Sequence, residues 1–159
     1  MTIEPTTLAV IGGALAQVGG LVGSSIGMGA TTSAGAATLA EDPRQFRNVL
    51  ILASLPMTQT FYALIVLILV ITMVVPKLAA MPDAGSSGLT VLGIGLICAF
   101  AEGASAAYQG MACASGISML PKTGGRILSS AIILAVYTEL MGVLGMVFTI
   151  LALTMLGLF

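Results

Sequence analysis

The sequence predicts an all-α membrane protein built from two tandem transmembrane helical hairpins, and three observations carry that prediction. Of its 159 residues, 58% are hydrophobic and 7% charged, with a mean hydropathy of +1.13, whereas a soluble domain carries about 25% charge. Four apolar runs are each longer than the ~20 residues needed to cross a hydrocarbon core. They are separated by three short clusters of Pro, Gly and charge, the residues that end helices by removing a donor or relaxing the backbone.

The first hairpin spans residues 1–80, with runs at about 8–39 and 47–75. The opening stretch MTIEPTTL has no Lys or Arg before the apolar run, so it lacks the basic region of a signal peptide and the first helix is expected to be retained. In that helix Gly19, Gly23 and Gly27 recur every four residues, with Ser24, Ser25 and Ala30 among them. Small residues at this spacing let helix backbones approach closely inside a bilayer. The break AEDPRQF around Pro43 leads into a bulkier second helix.

The second hairpin spans residues 81–159, with runs at about 87–119 and 126–158. It begins after PKLAAMPDAGSS, which holds Pro76 and Pro82, and turns through LPKTGG at Pro121. Its first helix is again smooth (Gly103, Ala104, Ser105, Ala106, Ala107, Gly110) and its return helix again bulky. The return helices align with Thr58-Gln59 over Thr138-Glu139, an offset of 80. Such a parallel repeat fits a duplicated two-helix ancestor. Two smooth and two bulky helices in one chain predict a tight inner layer, an outer layer facing lipid, and lateral assembly of copies.

Charge is scarce enough to carry topology. Arg44 and Arg47 lie in the first gap and Lys122 and Arg126 in the third, while the second holds Lys77 with Asp83. By the positive-inside rule the first and third loops are cytoplasmic, and both termini and the middle loop lie outside. Five basic residues cannot form a nucleic-acid footprint. The absence of His removes it as base, relay or metal ligand, and no catalytic residue is expected. Cys98 and Cys113, roughly 22 Å apart along one helix by its rise, are too distant for a disulfide and read as small buried hydrophobes.

Glu139 is the residue that demands an answer, because an ionisable side chain at bilayer depth costs ~2.5–3.5 kcal/mol on insertion scales and is rarely kept without a partner or an ion path. In the second helix Leu55, Thr58, Gln59 and Tyr62 fall at spacings of three and four, hence on one face. Pro56 cannot donate to the helix ladder, so a carbonyl one turn back is left open. The third helix adds Gln109 and the fourth Thr138. A proton site needs only a carboxyl in an apolar pocket. A hard alkali cation needs about five or six oxygens, by the logic that gives hard cations all-oxygen sites. One carboxylate, two amides, a hydroxyl and a carbonyl suffice for Na+, and the pair is neutral. The blander alternative is that Gln59, Gln109 and Glu139 only hydrogen-bond across helices, a role that does not require an anion.

Three stretches, LPMTQTFY, AYQGMACASG and TELMGVLG, together with SSIGMGATTSAG in the first helix, resemble the rotor-ring proteolipid (K or c) of V-type ATPases in its duplicated four-helix form. The resemblance covers nearly the whole chain. In the sodium-translocating bacterial branch it implies an ion held by the Leu55 carbonyl, Thr58, Gln59, Gln109 and Glu139, with Tyr62 hydrogen-bonded to the closed carboxylate and Pro56 supporting. Relatives often continue Glu-Thr-Tyr in the fourth helix where this chain has Glu139-Leu140-Met141, so a second aromatic there is absent.

What the resemblance implies is a ring of many copies with the first and third helices inside, turning in a bacterial cell membrane against a static subunit that bears an essential arginine. Central-stalk subunits would meet the cytoplasmic loops. ATP hydrolysis elsewhere would drive one Na+ per chain, since Gln59 stands where a second Glu would be; fewer ions per ATP favours pumping over synthesis. Proton coupling is the nearest rival. A small proton-coupled exporter would instead line a cavity with aromatics and purify as a dimer, and a purely structural oligomer would tolerate Glu139→Gln.

Glu102 lies seven residues before Gln109, roughly on the same face. Three readings compete: a protonated acid hydrogen-bonded to a neighbour, an acid facing the bore or lipid headgroups, or a second ion ligand. About 10.5 Å of helix rise separates it from Gln109, which argues against sharing one ion.

Overall fold

The structure, a computed structural model, describes residues 3–159; Met1 and Thr2 of the opening stretch lie outside the described residues. Four helices long and apolar enough to cross a membrane make up the chain: α1 (Pro5–Glu41), α2 (Pro43–Ala80), α3 (Ser87–Thr123) and α4 (Leu128–Met155). Each end has a local cause. Pro5 opens α1, where its missing N–H is no loss. Asp42 breaks the chain with an extended backbone (φ −139°), and its side chain accepts from the Arg44 N–H at 3.2 Å to start α2. Gly124 closes α3 in the left-handed conformation (φ +59°), which a side chain would resist.

Two of the prolines expected to end helices sit inside them. α2 runs through Pro76 to Ala80, with a wider π turn at Val70–Val74 just ahead of the proline. α3 runs through Pro121 to Thr123. Pro121 has no N–H for the Ile117 carbonyl, one turn back, and that carbonyl instead accepts the Thr38 hydroxyl of α1 at 3.0 Å. A partner from another helix therefore removes the reason for the helix to stop.

The most extensive contact in the fold is between α1 and α3. It is made backbone to backbone, with Gly12 against Gly95, Gly23 against Gly103 and Gly27 against Gly110, each place where a Cβ would overlap main-chain atoms of the other helix. α2 lies against the same helix: a Cβ on Gly27 would also stand 2.8 Å from the Pro56 ring, and one on Gly20 2.8 Å from the Gln59 carbonyl. The large side chains of α2 and α4 point outward instead, Phe61 being 52% and Tyr137 69% exposed.

Two apolar clusters fill the interior. One gathers Val66, Val70, Val91, Ile94, Cys98 and Leu153, the other Leu52, Cys113, Ile117, Leu120, Ala131 and Ala135. Both cysteines are free and fully buried. Along α2, α3 and α4 alike, the segments 55–62, 102–109 and 138–142, which hold Thr58, Gln59, Glu102, Ser105, Gln109 and Glu139, fall between the two clusters. Lys122 and Arg126 flank the α3–α4 turn, which packs on the start of α2: a Cβ on Gly125 (φ +83°) would stand 2.9 Å from the Asn48 amide nitrogen and 3.1 Å from the Gln45 amide oxygen. Asp42 anchors this end by accepting from Arg44 Nε at 2.9 Å and Gln45 Nε2 at 3.0 Å. The Arg44 guanidinium and the Gln45 amide hold its carboxyl at a pKa of about 2, below the usual carboxylate range.

Candidate functional site

A 3-10 turn at Leu55–Met57 interrupts α2 where Pro56 removes a donor, and it sets the first side chains of the site. Thr58 donates its hydroxyl toward the Leu55 carbonyl (3.1 Å) and stands 3.2 Å from the Gln59 amide oxygen. The next residues turn inward: Gln59 is fully buried, and Tyr62 reaches across to α4.

The Tyr62 hydroxyl donates to Glu139 Oε1 at 3.0 Å, and Gln109 Nε2 of α3 donates to Glu139 Oε2 at 3.2 Å. Each carboxylate oxygen thus has one donor, from a different helix. Gln109, fully buried, accepts in turn from Gln59 Nε2 at 2.8 Å. The structure therefore brings Leu55, Thr58, Gln59, Tyr62, Gln109 and Glu139 into one hydrogen-bonded cluster drawn from three helices. Thr138 joins through its backbone carbonyl, while its hydroxyl turns back to Ala135 at 2.7 Å.

Ser105 is the residue that sequence reasoning left among the small packing residues. It is 4% exposed, accepts the second proton of Gln59 Nε2 at 3.0 Å and donates to the Thr138 carbonyl at 2.6 Å. With both amide protons engaged by Ser105 and Gln109, Gln59 presents its oxygen toward Thr58. The signal that could have found Ser105 is its spacing of three from Glu102 and four from Gln109, one helical face.

Glu102 stands apart from this cluster. It is fully buried, which removes the reading of an acid facing the bore or headgroups, and its two oxygens have no hydrogen-bond partner among the described residues. The expected neighbour is therefore missing, and no hydrogen bond ties Glu102 to Glu139 or Gln109. Its carboxyl lies against two glycines of α4: a Cβ on Gly142 would stand 2.8 Å from Oε2, and one on Gly145 3.7 Å from Oε1.

The donor set of the cluster is the Glu139 carboxyl group and four neutral oxygens: the Leu55 carbonyl, the Thr58 hydroxyl and the two glutamine amides. That composition fits a hard monovalent cation, which needs oxygens to replace its water and one charge to match its own. No group of three or more His, Cys, Asp or Glu suited to a transition metal occurs among the described residues.

Comparison with known proteins places the chain among relatives. A family profile for the ATP synthase C-subunit matches the chain twice, over residues 11–70 and 92–152. The two matches fall one on each hairpin. The chain is 30% identical over 156 residues to the A-type ATP synthase subunit K of Methanocaldococcus jannaschii, covering 95% of this chain and 64% of that protein. It is 32% identical over 143 residues to the V-type sodium ATPase subunit K of Enterococcus hirae, covering 90% of this chain and 88% of that one. It thus spans just under two thirds of the first relative and most of the second.

Proposed function

The chain belongs to the ATP synthase C-subunit family, and from that premise we propose that it is the rotor-ring proteolipid of an A/V-type ATPase, carrying one Na+ per copy at Glu139. The observation that carries the reading is the convergence of Tyr62, Gln109 and, through Gln109, Gln59 and Thr58 on one carboxylate between two apolar clusters. A proton would need none of the neutral oxygens. A sodium ion uses them in place of water, with Glu139 supplying the single negative charge. A relative named as a sodium ATPase subunit supports the same choice.

In this reading Tyr62 and Gln109 keep the carboxylate aimed inward, so the ion and its ligand cross the lipid as a neutral pair. An arginine on a static partner would then compete for Glu139 and release the ion. Copies would assemble laterally through the outward apolar faces, with the basic loops turned to central-stalk partners on the cytoplasmic side and the termini outside. The chain itself carries no ATP chemistry.

The test is carbodiimide labelling of the purified protein at fixed pH across a sodium titration, with the modified residue located by mass spectrometry. The reagent attacks a protonated carboxyl. Protection of Glu139 by sodium is expected; labelling indifferent to sodium would make this a proton site and overturn the choice of ion.

A further inference from the structure

Glu102 is the one fully buried acid among the described residues, and neither of its oxygens is hydrogen-bonded. An anion in that position would sit in a low-dielectric interior with no donor and no counter-charge, a state that proteins avoid by pairing or neutralising the group. Among the described residues no salt bridge reaches Glu102. The chain's basic residues, Arg44, Arg47, Lys77, Lys122 and Arg126, all lie at helix ends or in loops. The titratable groups nearest the Glu102 level of the bundle are Tyr62 of α2, Glu139 of α4 and Cys98 on its own helix, and none of them is a cation. α1 has acids only at its ends, Glu4 and Glu41. The positive charge must therefore come from outside the chain.

The surroundings decide what kind of positive charge fits. The point that a Cβ on Gly142 would occupy lies 2.8 Å from Glu102 Oε2 and 3.0 Å from both Ser105 Oγ and the Gln59 Cγ methylene. Ser105 accepts one bond from Gln59 and gives its own proton to the Thr138 carbonyl, which leaves one lone pair open. The nearest side-chain oxygens to this space are the Glu102 carboxyl and that one hydroxyl, fewer than an alkali cation needs to replace its water. They are enough for a proton.

We propose that Glu102, set in the space that Gly142 leaves and that the Ser105 hydroxyl also borders, is a second cation-binding site of this chain whose ligand is a resident proton. Glu102 is then a neutral carboxylic acid. It is occluded where Glu139 is half-buried, so its proton stays in place while the ion at Glu139 exchanges. The site stands independently of the ion carried at Glu139.

Infrared difference spectroscopy on the full-length protein reconstituted in lipid, at neutral pH with saturating sodium, tests this directly. A carbonyl stretch of a protonated carboxylic acid is expected in the wild type and in Glu139→Gln, and its loss is expected in Glu102→Gln. Should Glu102→Gln fail to fold, Glu102→Asp will move the band instead of removing it. An absent band, or one that survives Glu102→Gln and vanishes in Glu139→Gln, overturns the proposal. So does a fall in bound radioactive sodium per chain caused by Glu102→Gln, which would make the ligand a metal ion. If the sodium reading of Glu139 is the one that fails, two acid bands appear and Glu102→Gln removes one of them.

Discussion

The Thr38 hydroxyl and the Ile117 carbonyl stand 3.0 Å apart, joining α1 to α3 at the carbonyl that Pro121 leaves without a helical donor. Thr38→Val orphans that buried carbonyl, and leaving such a group unpaired costs about 1–3 kcal/mol. The expected result is a clear drop in thermal stability of the detergent-solubilised protein. Pro121→Ala restores the N–H, so Thr38→Val should cost less in that background; equal cost in both backgrounds would show that the bond carries no weight.

Tyr62→Phe removes the donor to Glu139 Oε1 while keeping the ring that packs around it. A hydrogen bond to a charged group contributes about 1.5–3 kcal/mol. Sodium affinity, read from protection against carbodiimide, should fall tenfold to a hundredfold with the fold unchanged.

Ser105→Ala takes away the acceptor for one Gln59 proton and the donor to the Thr138 carbonyl. Gln59 is then free to turn its amide, and its oxygen no longer has a fixed direction. The outcome to look for is a raised half-saturating sodium concentration, by about tenfold for one misplaced ligand on the same hydrogen-bond scale. Ser105→Cys, a weaker donor and acceptor, should fall between.

Gly142→Ala places a methyl 2.8 Å from Glu102 Oε2 and 3.0 Å from Ser105 Oγ and Gln59 Cγ. Overpacking of this kind costs about 1–3 kcal/mol. Gly93→Ala meets nothing within 4 Å and serves as the control. Loss of stability and of sodium binding is expected from the first and neither from the second.

The Asp42 carboxyl, held at a pKa of about 2 against an ordinary 3.8, gives a pH dependence with a definite sign. A depressed pKa means that its bonds to Arg44 and Gln45 add stability above about pH 4, and that this addition fades as pH falls toward 2. Amide hydrogen exchange at Arg44 and Gln45, corrected for the intrinsic rate, should accelerate over that window. Asp42→Asn should show the faster exchange already at pH 5.

Much of the site was legible because its residues announce themselves. Glu139 is a carboxylate in an apolar run, and Leu55, Thr58, Gln59 and Tyr62 share one helical face around a proline. Ser105 was not, since in a helix of Gly, Ala and Ser a serine reads as packing until its partners on α2 and α4 are seen. Pro121 misled for a related reason: a proline ends a helix only if nothing else takes the carbonyl it abandons, and Thr38 lies 79 residues from Ile117, whose carbonyl it takes. The surroundings of Glu102 depend on Gly142 and Gly145 of another helix, which no local pattern links to it.

Tyr62, Gln59, Gln109 and Glu139 all belong to a single chain, so the hydrogen-bonded cluster closes within one copy. In the proposed ring, a cell making both the normal protein and a Glu139→Gln version would build mixed assemblies in which each defective copy loses its own carboxylate and leaves the cluster within every other chain intact. The loss should track the gene dosage of the defective copy wherever idle stations can be passed, and be dominant wherever a single idle station stalls the turn.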